Sequence, residues 1–154
     1  MLKDRLQNDL KTAMKSGDKS RATVLNMLRS AVLYAEVAAN ARDTGLPEDD
    51  ILKVLAKEAK QRQDSADMYE SAGEFERRDK ELSEKAIVEE YLPAQLSDDE
   101  LAREINEVIR EQGPLGPQTM GKIIGAAKQR LGSKAEGGRI AAYVKSALEK
   151  EIAQ

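Results

Sequence analysis

Residues Gly116 to Ile123, Gly-Pro-Gln-Thr-Met-Gly-Lys-Ile, have the G-x-x-x-x-G-K spacing in which backbone amides and a lysine cradle the phosphates of a nucleotide. The match stops at Ile123. Nucleotide hydrolysis needs Ser or Thr there to ligate magnesium and a strand before the loop, whereas the upstream segment has helical periodicity. A smaller role remains: amides at a helix start beside Lys122 can hold one phosphate of a larger ligand, or Thr119 can simply cap the helix. Nucleophilic chemistry has few parts to draw on. The 154 residues include no His and no Cys, which removes Ser-His-Asp and Cys-His couples, Cys/His zinc sites and disulfides. A Ser/Lys pair is available by composition, but no spacing recommends one. The carboxylate pairs Asp49/Asp50, Glu89/Glu90 and Asp98/Asp99 point different ways round a helix. Two of them fall in first turns, where the helix dipole favours acids. No catalytic residue, metal site or cofactor is expected.

Basic residues offer more. Lys and Arg total 25 against 28 Asp and Glu, a net charge of −3 that hides strong local polarity. From Gly113 to Lys150, seven bases face two acids, leaving +5; from Ser97 to Glu111, six acids face two bases, leaving −4; residues 1–30 carry +4. The candidate anion contacts are Lys122, Lys128, Arg130, Lys134, Arg139 and Lys145, which suit a structured RNA held by its phosphates. With only five aromatic residues, stacking on single-stranded bases is a poor fit. A second basic run, Lys53, Lys57, Lys60 and Arg62, is either a solvated face or a further anionic contact. Gly121 and Gly125 share one helix face, where a packed helix is the expected neighbour and a nucleic-acid strand the alternative. Gly137 and Gly138 fall in the turn before the last helix, where amides and bases can converge on an anion or where glycine merely supplies flexibility.

These residues need helices to hold them. Leu2, Leu6, Leu10 and Met14 recur every fourth position up to Gly17, and Asp18 can cap a second helix whose stripe is Ala22, Leu25, Leu28, Val32 and Ala35. Pro47 opens a third helix along Ile51, Val54, Leu55, Ala59, Ala66 and Tyr69, ending at Gly73. Phe75, Leu82, Ala86 and Ile87 mark the narrow seam of a fourth. Tyr91-Leu92-Pro93 breaks the pattern and places a boundary between residues 1–93 and 94–154. Ser97 and Glu100 then form a capping box. Leu101, Ile105, Val108 and Ile109 carry a fifth helix to Gly113. Met120, Ile123, Ile124, Ala127 and Leu131 carry a sixth, with Gly132 as its stop. Ile140, Tyr143, Val144, Ala147, Leu148 and Ile152 carry a seventh. No run alternates with a two-residue period, so the fold class is all-α, four helices followed by three. Without a long apolar run or a Leu-rich signal segment after Met1, a cytoplasmic chain with no membrane contact is expected.

Tyr91-Leu92-Pro93-Ala94-Gln95-Leu96-Ser97 resembles the Y-L-P-x-Q-L-S hallmark of the YqeY family. Lys57 to Ser65 resembles that family's K-x-x-K-x-R-x-x-S helix. Met120 to Gly125 resembles its M-G-K-V-M-G segment, with Thr119 where Asp is usual. The Ala135-Glu136-Gly137 turn and Val144-Lys145 extend the likeness over essentially the whole chain. The resemblance implies an elongated N-terminal helical subdomain followed by a small three-helix subdomain similar to the C-terminal tail of the B subunit of aspartyl/glutamyl-tRNA amidotransferases. It implies a non-catalytic module that binds tRNA or another structured RNA, or associates with a tRNA-modifying or aminoacylating enzyme. The alternatives it carries are a carbon-nitrogen ligase using glutamine as amido-N donor, possible only with partner subunits, and a helical adaptor. Whether the chain has any enzyme activity is left open by the resemblance.

Overall fold

The computed structural model describes residues 1–153 and contains, among them, seven α-helices and no strand. They are α1 (Leu2–Ser16), α2 (Lys19–Ala38), α3 (Glu48–Ser71), α4 (Phe75–Glu89), α5 (Asp98–Gln112), α6 (Met120–Leu131) and α7 (Gly137–Ala153), with a short 3-10 turn at Gly132–Lys134. The all-α expectation holds. Contacts divide the chain into two compact units, Met1–Pro93 and Ala94–Gln154. Among the described residues no helix is long and apolar enough to cross a membrane.

In the first unit, Gly17 ends α1 in the left-handed region at φ 76°, a conformation that glycine takes without a Cβ penalty. Asp18 then accepts a hydrogen bond from the Arg21 amide at 3.0 Å, so the chain reverses within two residues. The reversal lets Leu6 of α1 and Leu25 and Leu28 of α2 bury completely, with Leu55 of α3 and Val88 of α4 joining the same core. Each such side chain contributes about 1.5–3 kcal/mol through its removal from water. Glu36 is also fully buried, and its carboxylate accepts from the Lys3 ammonium at 2.7 and 2.9 Å, tying α1 to the end of α2.

The α3–α4 hairpin changes character along its length. Near α1 and α2 it is apolar, through Ile51, Leu55 and Ala59. Farther out Ala66 is the one buried apolar residue, and polar contacts cross the gap: ion pairs from Arg62 to Glu84 at 3.6 Å and Arg78 to Glu70 at 3.2 Å, and a hydrogen bond from the Lys85 ammonium to the Gln63 side-chain oxygen at 2.8 Å. The seam expected for α4 is therefore corrected. Phe75, Leu82 and Ala86 are exposed, and Val88 supplies the buried contact, because polar pairs replace apolar ones over most of this interface.

The second unit buries one isoleucine from each of its helices, Ile105, Ile123 and Ile140, at 0% exposure. Ser97 caps α5 by accepting from the Glu100 amide at 3.2 Å. Gly113 follows α5 where no side chain fits: an added Cβ would lie 2.3 Å from the Ile109 carbonyl oxygen. Two expectations change here. Ile152 is 68% exposed rather than packed. Thr119 precedes α6 without capping it; its hydroxyl donates to the Pro114 carbonyl at 2.8 Å and accepts from the Gly116 amide at 2.9 Å, closing the loop instead.

Tyr91 is the polar keystone of the first unit. At 3% exposure, its hydroxyl donates to Asp9 Oδ2 at 2.5 Å, and the Arg5 guanidinium lies 4.5 Å from its ring centroid. Burial, reinforced by the Asp9 carboxylate, pushes its pKa up to about 12. In an unfolded chain the phenol ionises near pH 10, so between there and about 12 the unfolded state loses its proton first. The stabilisation from this phenol is thus complete below about pH 10 and lost as pH rises through about 12. We expect an ultraviolet tyrosinate titration to show a late step near pH 12 that Tyr91→Phe removes, with a loss of about 1 kcal/mol in urea unfolding at neutral pH.

Candidate nucleic-acid interface

The basic excess lies in the Gly113–Lys150 part of the second unit, where the acids of α5 bring the unit as a whole to zero net charge, and the helices sort the six candidate bases into two groups. Arg130 on α6 points to α5, where its Nε lies 3.2 Å from Glu104 and its Nη1 3.3 Å from Glu111. Arg139 on α7 reaches Asp98 at the start of α5, at 2.9 Å. These arginines join three helices through forked donors suited to carboxylates. Lys122, Lys128, Lys134 and Lys145 are exposed and make no ion pair among the described residues. Of the six candidates, four lysines are available to an outside anion and both arginines are engaged inward. The α5 acids explain the difference, since Arg110 also pairs with Glu107 and holds that carboxylate below its usual range.

The turn that carries Lys134 is positioned by the segment preceding α5. The Gln95 side-chain amide donates to the Ser133 carbonyl at 2.8 Å, and the Leu96 backbone amide donates to the Lys134 carbonyl at 2.9 Å. With the Asp98–Arg139 pair, three successive contacts fasten the entrance of α5, two to the 3-10 turn and one to the first turn of α7. Gln95 and Leu96 belong to the motif noted in the sequence, but spacing alone gave no sign that they position Lys134.

The glycines fall differently from expectation. A Cβ added at Gly121 or Gly125 would meet nothing within 4 Å, so close helix packing, the expected reason for both, is corrected. Both are exposed and in helical conformation. An interior glycine costs a helix about 0.5–1 kcal/mol relative to alanine, and neither backbone strain nor internal packing accounts for that cost here. By helical spacing Lys128 shares their face, with Lys122 at its edge. Gly137 and Gly138 are the first two residues of α7, not a flexible turn before it. The Lys128 stem crosses Gly137: its Cε lies 3.1 Å, and its Nζ 3.5 Å, from where a Cβ would sit. A lysine charge thus stands near the amide end of α7, where the helix dipole is also positive.

The second basic run does not form a comparable surface. Lys53 is paired with Asp50 at 2.9 Å and Lys60 with Asp64 at 3.5 Å. Arg62 is 5% exposed, bound to Glu58 at 3.0 Å, and its Nε has no hydrogen-bond partner. Only Lys57 of the four is both exposed and without an ion pair among the described residues. Arg62 is therefore a buried strut between α3 and α4, not an anion contact, because helix packing places it on the inner side of the hairpin. Among the described residues no group of three or more acidic side chains gathers where it could hold a metal ion.

No curated protein matches the chain. A family model described as Yqey-like protein does, over residues 3–148, a span that takes in the Tyr91–Ser97 segment, the α3 basic run and the glycine–lysine face of α6. A match from α1 to near the end of α7 is a match to both compact units, and the chain belongs to the YqeY family.

Proposed function

We propose that the chain is a non-catalytic RNA-binding module whose C-terminal unit holds the phosphates of a structured RNA, with tRNA as the ligand. The observation that carries this reading is the presence of four exposed lysines, 122, 128, 134 and 145, left without carboxylate partners while Arg130 and Arg139 of the same stretch are engaged in ion pairs. Lysines of this kind bind phosphate by displacing condensed counterions and carry no base preference. One further feature supports it. The bare face at Gly121 and Gly125 lets a sugar-phosphate backbone approach α6 more closely than any side chain would permit. Tyr143 is the only aromatic residue of this unit, and its hydroxyl bonds Asn106 at 3.1 Å, so a stem bound by shape fits better than stacked single strands. The likeness to the amidotransferase tail makes tRNA the RNA of choice and a tRNA-modifying or aminoacylating enzyme the natural associate.

Binding of a tRNA transcript should fall with salt at a slope of about −3 to −4 in log K against log [salt], the value for four phosphate contacts. Replacing Lys122, Lys128, Lys134 and Lys145 together with Gln should abolish most of that slope and leave the unfolding midpoint in place, since none holds an ion pair. Salt-insensitive binding, or no binding at low salt, contradicts the proposal. Gly125→Ala separates the glycine face from generic charge: it should raise helix stability by about 0.5–1 kcal/mol while weakening tRNA binding. Stability and affinity measured on the same sample check it, and unchanged affinity removes Gly125 from the interface.

A further inference from the structure

Helix α2 is apolar on two sides, and only one is covered. Val24, Leu25, Leu28 and Val32 enter the core. On the outer side Leu33, Tyr34 and Val37 are 48%, 80% and 53% exposed, and Val37 follows the other two at the three- and four-residue spacings that put side chains on one stretch of helix surface. Apolar side chains grouped in this way mark a contact surface, whereas scattered ones do not. Beside the strip a cleft of about 320 Å³ opens between α1 and α2, floored by Leu6 and Val32 and rimmed by Lys3, Gln7, Asn26 and Arg29.

The charge of this surface is one-sided. From Lys19 to Arg42 the only acidic residue is Glu36, which is fully buried and held by Lys3. Arg29, half-buried at the cleft, has no ion pair among the described residues. A half-desolvated guanidinium next to apolar side chains calls for a carboxylate brought by whatever covers them. An anionic membrane surface is a weaker match, since a helix lying on lipid carries many Lys and Arg along its polar face and this strip has one unpaired cation beside it.

We infer that the outer face of α2 is a docking site for an amphipathic helix of a partner protein, which lays its apolar side on Leu33, Tyr34 and Val37 and presents a carboxylate to Arg29. This interface is separate from the lysines of the C-terminal unit and goes beyond RNA binding. It gives the module a second attachment, by which an RNA held in one unit is linked to a protein held by the other.

The test places a photocrosslinker on the face of the full-length chain, as Tyr34→p-benzoylphenylalanine, in the cells that express it, followed by mapping of the crosslinked peptide. The expected product joins position 34 to an acidic amphipathic helix of another protein, and Arg29→Glu lowers its yield about tenfold. Arg29→Gln serves as a second variant should the charge reversal disturb folding, read by far-ultraviolet circular dichroism. Crosslinks only to a second copy of the chain, to lipid or to RNA overturn the inference. So do a partner segment without acidic amphipathic character, a yield indifferent to Arg29, and no product above that of the same crosslinker at Lys11. Tyr34→Glu should leave tRNA affinity unchanged, so failure here is distinguishable from failure of the RNA-binding reading.

Discussion

The segment from Tyr91 to Asp98 is the constraint on which the order of both units depends. Tyr91 completes the first unit by burying its ring beside Val88 and donating to Asp9, while Arg5 covers its face. Seven residues later Asp98 receives Arg139, after Gln95 and Leu96 have bound the turn at Ser133 and Lys134. One short run of chain, interrupted at Pro93 where helix cannot continue, thus supplies the closing contacts of two separate cores. Loss of these contacts would leave the entrance of α5 unfastened and the lysine-bearing turn without its two hydrogen bonds to that segment.

The basic residues divide by chemistry. Arginine's planar fork can satisfy two carboxylates at once, as Arg130 does with Glu104 and Glu111, while Arg139 is paired with Asp98 alone. Lysine is a hydrated point charge that loses little by remaining in solvent, and the lysines stay exposed. The acidic stretch on α5 is therefore no separate binding feature. It holds the three-helix unit together through arginine and leaves the positive field to the lysines of α6, the 3-10 turn and α7. The N-terminal unit follows a related rule, with Lys3–Glu36 and Arg62–Glu84 replacing apolar packing where helices meet. Removing Lys3 would leave the buried Glu36 carboxylate uncompensated, a cost reduced by solvent screening at the half-exposed ammonium.

All seven helices are legible in the sequence, because their ends are written in local chemistry: Gly17 and Asp18, Pro47, Gly73, Ser97, Gly132. What local periodicity misses is burial that depends on a distant partner. Arg62 reads as a solvated face or an anion contact, yet it is buried and meets Glu84 from 22 positions away, and nothing in the local pattern marks Glu36, which meets Lys3 from 33. The seam of α4 fails for the same reason, since Phe75 and Leu82 have helical spacing but no neighbour opposite. The basic candidate site is legible as a charge excess. Its division into paired arginines and free lysines is not, because that depends on where α5 lies. Gly121 and Gly125 share a face as expected, but only the space around them reveals that the face is bare.

The module that results carries one polar and one apolar surface on different units, each without a partner inside the chain. Its central claim is that the lysine and glycine face of the C-terminal unit is where RNA phosphates lie. Amide chemical-shift mapping of the isotope-labelled chain, titrated with a tRNA transcript, tests this most directly. The account predicts that the largest shifts cluster at Gly121, Lys122, Gly125, Lys128, Lys134 and Gly137–Gly138, with α3 and the outer face of α2 unperturbed. Shifts concentrated on Lys53–Arg62, or spread evenly over both units, would contradict it.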